Sequence, residues 1–267
     1  MGDAFTAGRT RPPVGGARSG SATEPLVIVA GRDRVVATLN RPEARNAIDQ
    51  AVVDALHALC AQLEAIPRVL ILTGADGVFA SGADIAELRD RRAADALRGI
   101  NTAAFQRVRA LPMPVIAAID GYALGGGAEL AYAADLRLGT PSTRIGNPET
   151  GLGIIPAAGA TWRLPQLVGE ARAAELLLTG RILDADTALA WGLLNAVHPA
   201  EELLAAAHAL ADRIVANDAL ATRYAKRALQ APAAEHPRLD LESQAELFER
   251  PEKHDRMTAF LERRRSS

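Results

Sequence analysis

Two short stretches, RVLILTG (residues 68–74) and PVIAAID (residues 114–120), constrain this chain more than anything else in it. Each is almost wholly apolar and bounded by turn residues, so neither can be a strand that keeps one face in water. A strand buried on both sides needs covering layers, and the neighbouring sequence supplies them. Residues 46–66 carry Ile48, Val52, Val53, Leu56, Leu59, Cys60, Leu63 and Ile66 at the spacing of an amphipathic helix, which Pro67 ends. A second long helix is expected over residues 84–110, ahead of Leu111 and Pro112. LVIVAG (26–31) and RVVATLN (34–40) read as a hairpin turning near Asp33, and LRLGT (136–140) as a further strand. Strands that alternate with helices make an α/β chain.

After Leu164 the pattern becomes mostly helical, with helices expected over 169–179, 185–191, 200–216, 218–230, 239–249 and 251–264, one strand near 194–197 and a hinge at 231–237. The organisation expected is a disordered tail over 1–24, rich in Gly, Pro, Arg and Ser, a core over 25–199 and a helical region over 200–267. Aromatic residues are only 4% of the chain, so its core must be built from Ala, Leu, Ile and Val. A net charge of −2 gives no footprint for nucleic acid or an anionic membrane. No apolar run reaches the roughly 18 residues of a membrane span. The single cysteine, Cys60, cannot close an internal disulfide, which fits a reducing, cytoplasmic setting. The five histidines show no metal-ligand spacing, so no metal is expected. G-x-G-x-x-G, G-x-x-x-x-G-K-[ST] and G-x-S-x-G are all absent.

The chemistry is therefore sought in two glycine-containing turns and two carboxylates. In FASGADI (79–85), Ser81 and Gly82 precede a helix start, which frees the amide of Ala83 to point into a cleft; in GYALGGGAEL (121–130) the amide of Gly126 can do the same. Two such donors, one at a helix N-terminus, suit a developing oxyanion. Glycine turns of this kind also serve tight packing alone, so the acids beside them matter. Glu129 lies in the first turn after the glycines. Glu149 sits in IGNPETGLGIIP (145–156), a lone acid among apolar residues. Desolvation there would raise its pKa and suit it to carrying a proton.

Six blocks of the sequence, in order, give a specific resemblance: LNRPEARNAI (39–48), FASGADIAEL (79–88), PVIAAIDGYALGGGAELAYAADLRL (114–138), NPETGLGIIPAAGATWRL (147–164), ALAWGLLNAVHP (188–199) and MTAFLERR (257–264). Together they resemble the enoyl-CoA hydratase/isomerase (crotonase) superfamily from about residue 25 to 264. The resemblance implies a crotonase-like spiral of repeated ββα units with a C-terminal helical trimerisation extension, assembling as a homotrimer or dimer of trimers. It implies an acyl-CoA thioester substrate, with coenzyme A entering as part of that substrate and no separate cofactor. The thioester oxygen would be held by the amides of Ala83 and Gly126, with Ser81, Gly82, Asp84, Ile85, Gly125, Ala157 and Trp162 around the substrate. Family members that hydrate enoyl thioesters carry acids at the positions of both Glu129 and Glu149; isomerases typically keep the second. The expected reaction is syn addition of water to a trans-2-enoyl-CoA, with Glu129 orienting and deprotonating the water and Glu149 delivering a proton to C2. This chain departs from the family pattern where IPAAGAT stands for IPGAGGT and where Trp162 replaces a common Gln. Arg41, Arg45 and Lys253 are candidates for the CoA phosphates. Isomerisation, other acyl-CoA lyase or hydrolase chemistry, and a non-catalytic acyl-CoA- or RNA-binding role are the alternatives left open.

Overall fold

The computed structural model describes residues 24–265. The tail expected over 1–24 lies outside the described residues, apart from Glu24. The hairpin forms as expected: β1 (Leu26–Ala30) runs antiparallel to β2 (Arg34–Leu39). Helix α1 (Gln50–Ala65) follows, its first turn capped by Asp49, whose Oδ1 accepts from the Val52 amide at 2.9 Å. The helix thus starts later than residue 46. Ile48, expected on its apolar face, instead makes a parallel bridge to Ala83. Then comes β3 (Val69–Gly74).

The single helix expected over 84–110 is three: α2 (Ile85–Asp90), α3 (Ala93–Leu97) and α4 (Ile100–Arg109). Arg91 is extended (ψ 145°) and Gly99 turns left-handed (φ 60°), and α2 and α3 bury no side chain, so no packing holds one continuous rod. Next come β4 (Val115–Ile119), β5 (Tyr122–Leu124), α5 (Gly126–Ala133), β6 (Leu136–Gly139) and β7 (Arg144–Gly146). They lead to α6 (Ala160–Val168), α7 (Glu170–Thr179), β8 (Ile182–Asp184), α8 (Ala185–Ala190) and β9 (Ala196–Val197). Helices α9 (Leu203–Val215), α10 (Ala219–Gln230), α11 (Arg238–Phe248) and α12 (Pro251–Arg265) complete the described chain.

Six strands form one sheet in the order β1-β2-β3-β4-β6-β9, parallel except for the opening hairpin, and β5-β7-β8 form a smaller second sheet. Alternation along the two apolar strands assigns their faces. Leu70 and Leu72 of β3 join Val115, Ala117 and Ile119 of β4 in a core packed by α1 through Val52, Leu56, Leu59, Cys60 and Leu63. The intervening residues Val69, Ile71, Ile116 and Ala118 face the other way, onto Leu203, Ala207 and Ala211 of α9. The segment expected as a helical region from residue 200 therefore begins with a helix that closes the far face of the sheet. Lys226 of α10 anchors the next helix: its Nζ lies 2.7 Å from Asp135 Oδ2 and donates to the Met113 carbonyl at 3.0 Å. Burial also pushes the Cys60 thiol up to about 12, leaving it a small apolar group of the core.

Helix α5 is seated against the chain at residue 80. A Cβ on Gly127 would lie 2.3 Å from the Ala80 carbonyl oxygen and 2.8 Å from its Cβ, so only hydrogen fits there. Gly127→Ala is expected to destabilise the protein by about 1–3 kcal/mol, the range for overpacking a filled interior. Denaturant unfolding of the purified variant measures this, and an unchanged midpoint would contradict the contact.

Candidate active site

The site is assembled from three backbone segments that approach one another closely. The first is the extended piece 79–84. Ala80 bridges in parallel to Ala123 and Ala83 to Ile48, with the Ile48 amide donating to the Gly82 carbonyl at 2.8 Å and the Asp84 amide donating to the Ile48 carbonyl at 3.0 Å. In a parallel bridge these bonds use the groups of Ala83's neighbours, so its own N–H faces the opposite side. The second segment is the turn into α5, where Gly125 (φ 50°) redirects the chain and Gly126 is the first helical residue, its amide free of an intrahelical partner. A Cβ built on Gly126 would sit 3.3 Å from the Ala83 nitrogen, so the two amides lie side by side.

The third segment is the short 3-10 turn Pro148–Leu152, which carries Glu149. Its carboxylate lies against Gly125 so tightly that a Cβ there would come within 3.2 Å of Oε1. Glu149 is 8% exposed, its Oε1 accepts from Asn147 Nδ2 at 3.3 Å, and among the described residues its buried Oε2 meets no donor. Burial raises its pKa, opposed by its own backbone amide and then by the Asn147 donor. Glu129, 4% exposed on α5, accepts on Oε1 from the amides of Ala158 at 2.7 Å and Ala160 at 3.1 Å. Burial pushes its pKa up to about 7, with the negative charge of Glu149 adding to the rise and the two amides pulling against it.

These groups border one cleft of about 480 Å³. Ser81, Gly82, Ala83 and Ile85 line one side, and Gly125, Gly126 and Glu129 another. Glu149 and Ala157 face the same space, whose remaining wall includes Leu88, Leu152, Ile154 and Ile155. Two expected contact residues stand apart from it. Asp84 caps α2, its Oδ1 accepting from the Ala86 amide at 3.0 Å, and its Oδ2 lies 3.6 Å from Arg41. Trp162 points instead into a separate small hollow behind Glu129, bordered also by Ala158 and Gly159. Arg41 is engaged as well, paired with Asp49 at 3.1 Å, and Lys253 lies 4.9 Å over the ring of Phe248. Sequence reasoning passed over the Ala158 and Ala160 amides and Asn147. Of these, Ala160 is one of the two substituted glycine positions, and Ala158 follows the other, Ala157.

The family model described as enoyl-CoA hydratase/isomerase matches residues 34–267. The chain belongs to the enoyl-CoA hydratase/isomerase family. It is 38% identical over 239 residues to the short-chain-enoyl-CoA hydratase of Clostridium acetobutylicum, covering 86% of this chain and 92% of that protein. It is 35% identical over 255 residues to the crotonyl-CoA hydratase of Syntrophomonas wolfei, covering 92% and 98% of the two chains. A solved enoyl-CoA hydratase from Bacillus anthracis superposes with a TM-score of 0.84 at 33% identity, over 90% of this chain and 96% of that one. The sheets and helices described above are thus the crotonase fold.

A carboxyl whose pKa is higher folded than unfolded favours folding at low pH and opposes it as the pH rises from the unfolded value through the folded one. For Glu129 that window runs from 4.5 to about 7. Glu129→Gln keeps an acceptor for both amides and removes the titration, so it is expected to stabilise this enoyl-CoA hydratase family member at pH 8 by up to about 3 kcal/mol. At pH 4 the gain should vanish. Denaturant unfolding of both proteins at the two pH values checks this.

Proposed function

We propose that this protein adds water across the C2=C3 bond of a trans-2-enoyl-CoA, giving a 3-hydroxyacyl-CoA. The observation that carries the reading is the presence of two buried carboxylates with raised pKa on the same cleft as two side-by-side main-chain amides. The amides of Ala83 and Gly126 form an oxyanion hole for the thioester oxygen. Donors of this kind contribute about 2.7–4 kcal/mol each where charge develops. As the water oxygen bonds to C3, one of its hydrogens passes to Glu129. The C2=C3 π pair moves onto the thioester oxygen as an enolate, and Glu149 delivers a proton to C2. The proton taken by Glu129 returns to Glu149, so one water supplies both the hydroxyl on C3 and the hydrogen on C2, and the pair ends as it began. The two acids form a pair, the negative charge of Glu149 adding to the rise of the Glu129 pKa.

Glu149 lies against the Gly125 turn, next to the oxyanion donors, and its unpartnered Oε2 is the oxygen available to C2. Glu129, held by Ala158 and Ala160, is placed to hold the water. Isomerisation needs only one acid to move a proton between carbons, so the second buried acid favours hydration. A purely binding role would leave two desolvated carboxylates without a use. The names of the relatives from C. acetobutylicum and S. wolfei support the same reaction on short acyl chains. Coenzyme A serves as the handle of the substrate. The reading places the enzyme in the cytoplasm, where the lone thiol of Cys60 stays reduced. No helix among the described residues is long and apolar enough to cross a membrane.

Glu149→Gln is expected to lower crotonyl-CoA hydration by about 10²–10⁴ while leaving thioester binding nearly intact, because the amide keeps the shape and loses the proton. Loss of the conjugated thioester absorbance follows the rate. Near-normal turnover would remove Glu149 from the mechanism, and turnover of a 3-enoyl-CoA without hydration would favour isomerisation.

The reading includes assembly as a homotrimer or pair of trimers. Helix α12 supports it: the helix buries no side chain, and Met257, Phe260 and Leu261 along it are more than half exposed. Replacing Met257 and Phe260 together by Glu should yield monomers in light scattering. An unchanged mass would place the interface elsewhere.

A further inference from the structure

Helix α5 carries Glu129 and, one turn later, Tyr132. Tyr132 is fully buried, and its hydroxyl donates to Asn147 Oδ1 at 3.0 Å. Asn147 is equally buried and donates through Nδ2 to Glu149 Oε1 at 3.3 Å and to the Gly125 carbonyl at 3.4 Å. This small network admits one arrangement. The Gly125 carbonyl is an acceptor only, and Glu149 Oε1 accepts whether the carboxyl is ionised or carries its proton on Oε2, so the amide nitrogen must face them. The amide oxygen is then turned away and needs a donor in a place without water, and the Tyr132 hydroxyl supplies it. Neither Tyr132 nor Asn147 lines the cleft.

We propose that Tyr132 and Asn147 are positioning residues for the proton transfer, holding Glu149 by Oε1 so that Oε2 alone is presented to the substrate. Helix α5 then sets both acids, Glu129 by its own backbone and Glu149 through Tyr132 and the intervening amide. The inference deepens the hydratase reading and rests on it for the identity of the step. A carboxylate gripped by one oxygen has a single orientation to offer, and proton transfer to C2 depends on that orientation being held through the reaction. The titratable groups that act on the relay are Glu129 and Glu149, with Arg137 acting on the Tyr132 hydroxyl.

Tyr132→Phe removes one oxygen and leaves the ring in its slot, and Asn147→Leu removes both polar atoms of the link. Each is expected to lower kcat for crotonyl-CoA about tenfold with KM unchanged. Because the Asn147 donor favours the charged carboxylate, its loss or displacement should raise the titration of the Glu149 carboxyl carbon, followed by carbon-13 NMR, by about one pH unit. A variant that melts at lower temperature but keeps the parent kcat and the parent Glu149 titration overturns the proposal, since that is the signature of packing alone. If Asn147→Leu does not fold, Tyr132→Phe decides the matter. Should the parent protein hydrate no enoyl-CoA, the proposed function falls, and the carbon-13 titration of Tyr132→Phe still tests the relay: a Glu149 step that moves up upholds it, and an unmoved one ends it.

Discussion

Two backbones meet closely between residues 80–83 and the first turn of α5, and the rest of the site depends on that approach. Gly127 admits the Ala80 carbonyl where any side chain would block it, and Gly126 lies beside the Ala83 nitrogen. The two bridges, Ala80 to Ala123 and Ala83 to Ile48, hold the extended piece in register from both sides. These contacts are made by main chain, with positions set by the parallel sheet and by α1 behind it. The amide pair is therefore fixed by main-chain contacts before charge appears in front of it.

The two acids sit in the same apolar surroundings but are held differently. Glu129 has one oxygen shared between two amides of the 158–160 turn, which steadies it and tempers the effect of burial. Glu149 has a single amide on one oxygen and nothing on the other. A fixed acid beside one with an uncommitted oxygen is a suitable pair for one step that holds a water and another that hands over a proton. The arrangement opposes folding, because each carboxylate would be better solvated in the unfolded chain. The packed sheet offsets that opposition.

Much of this was legible in the sequence. The two apolar runs named a sheet buried on both sides, and their alternating residues divide between α1 and α9 as period two requires. Glu129, Glu149 and both turns were marked by their neighbours, and the structure brings them to one cleft. The differences have separate physical causes. The helix expected over 84–110 has apolar residues at workable spacing, yet nothing packs on its first half, and Gly99 breaks it. Strands β5, β7 and β8 are three residues each, too short for alternation to register. Asp84, read as a substrate contact, sits where an acid before a helix normally caps it, and Ala86 takes that cap. Trp162 follows the direction of α6, which carries its ring to the far side of Glu129, away from the cleft.

The broken helix has a consequence for what the cleft can admit. One side of the space is main chain pinned by two β-bridges; the other is formed partly by α2 and α3, neither of which buries a single side chain. A guest pressing on that second side displaces little packed matter, so it meets a cushion there and an anvil opposite. Bulk along a ligand's tail can thus be absorbed by local give, while the atoms nearest the acids keep their alignment.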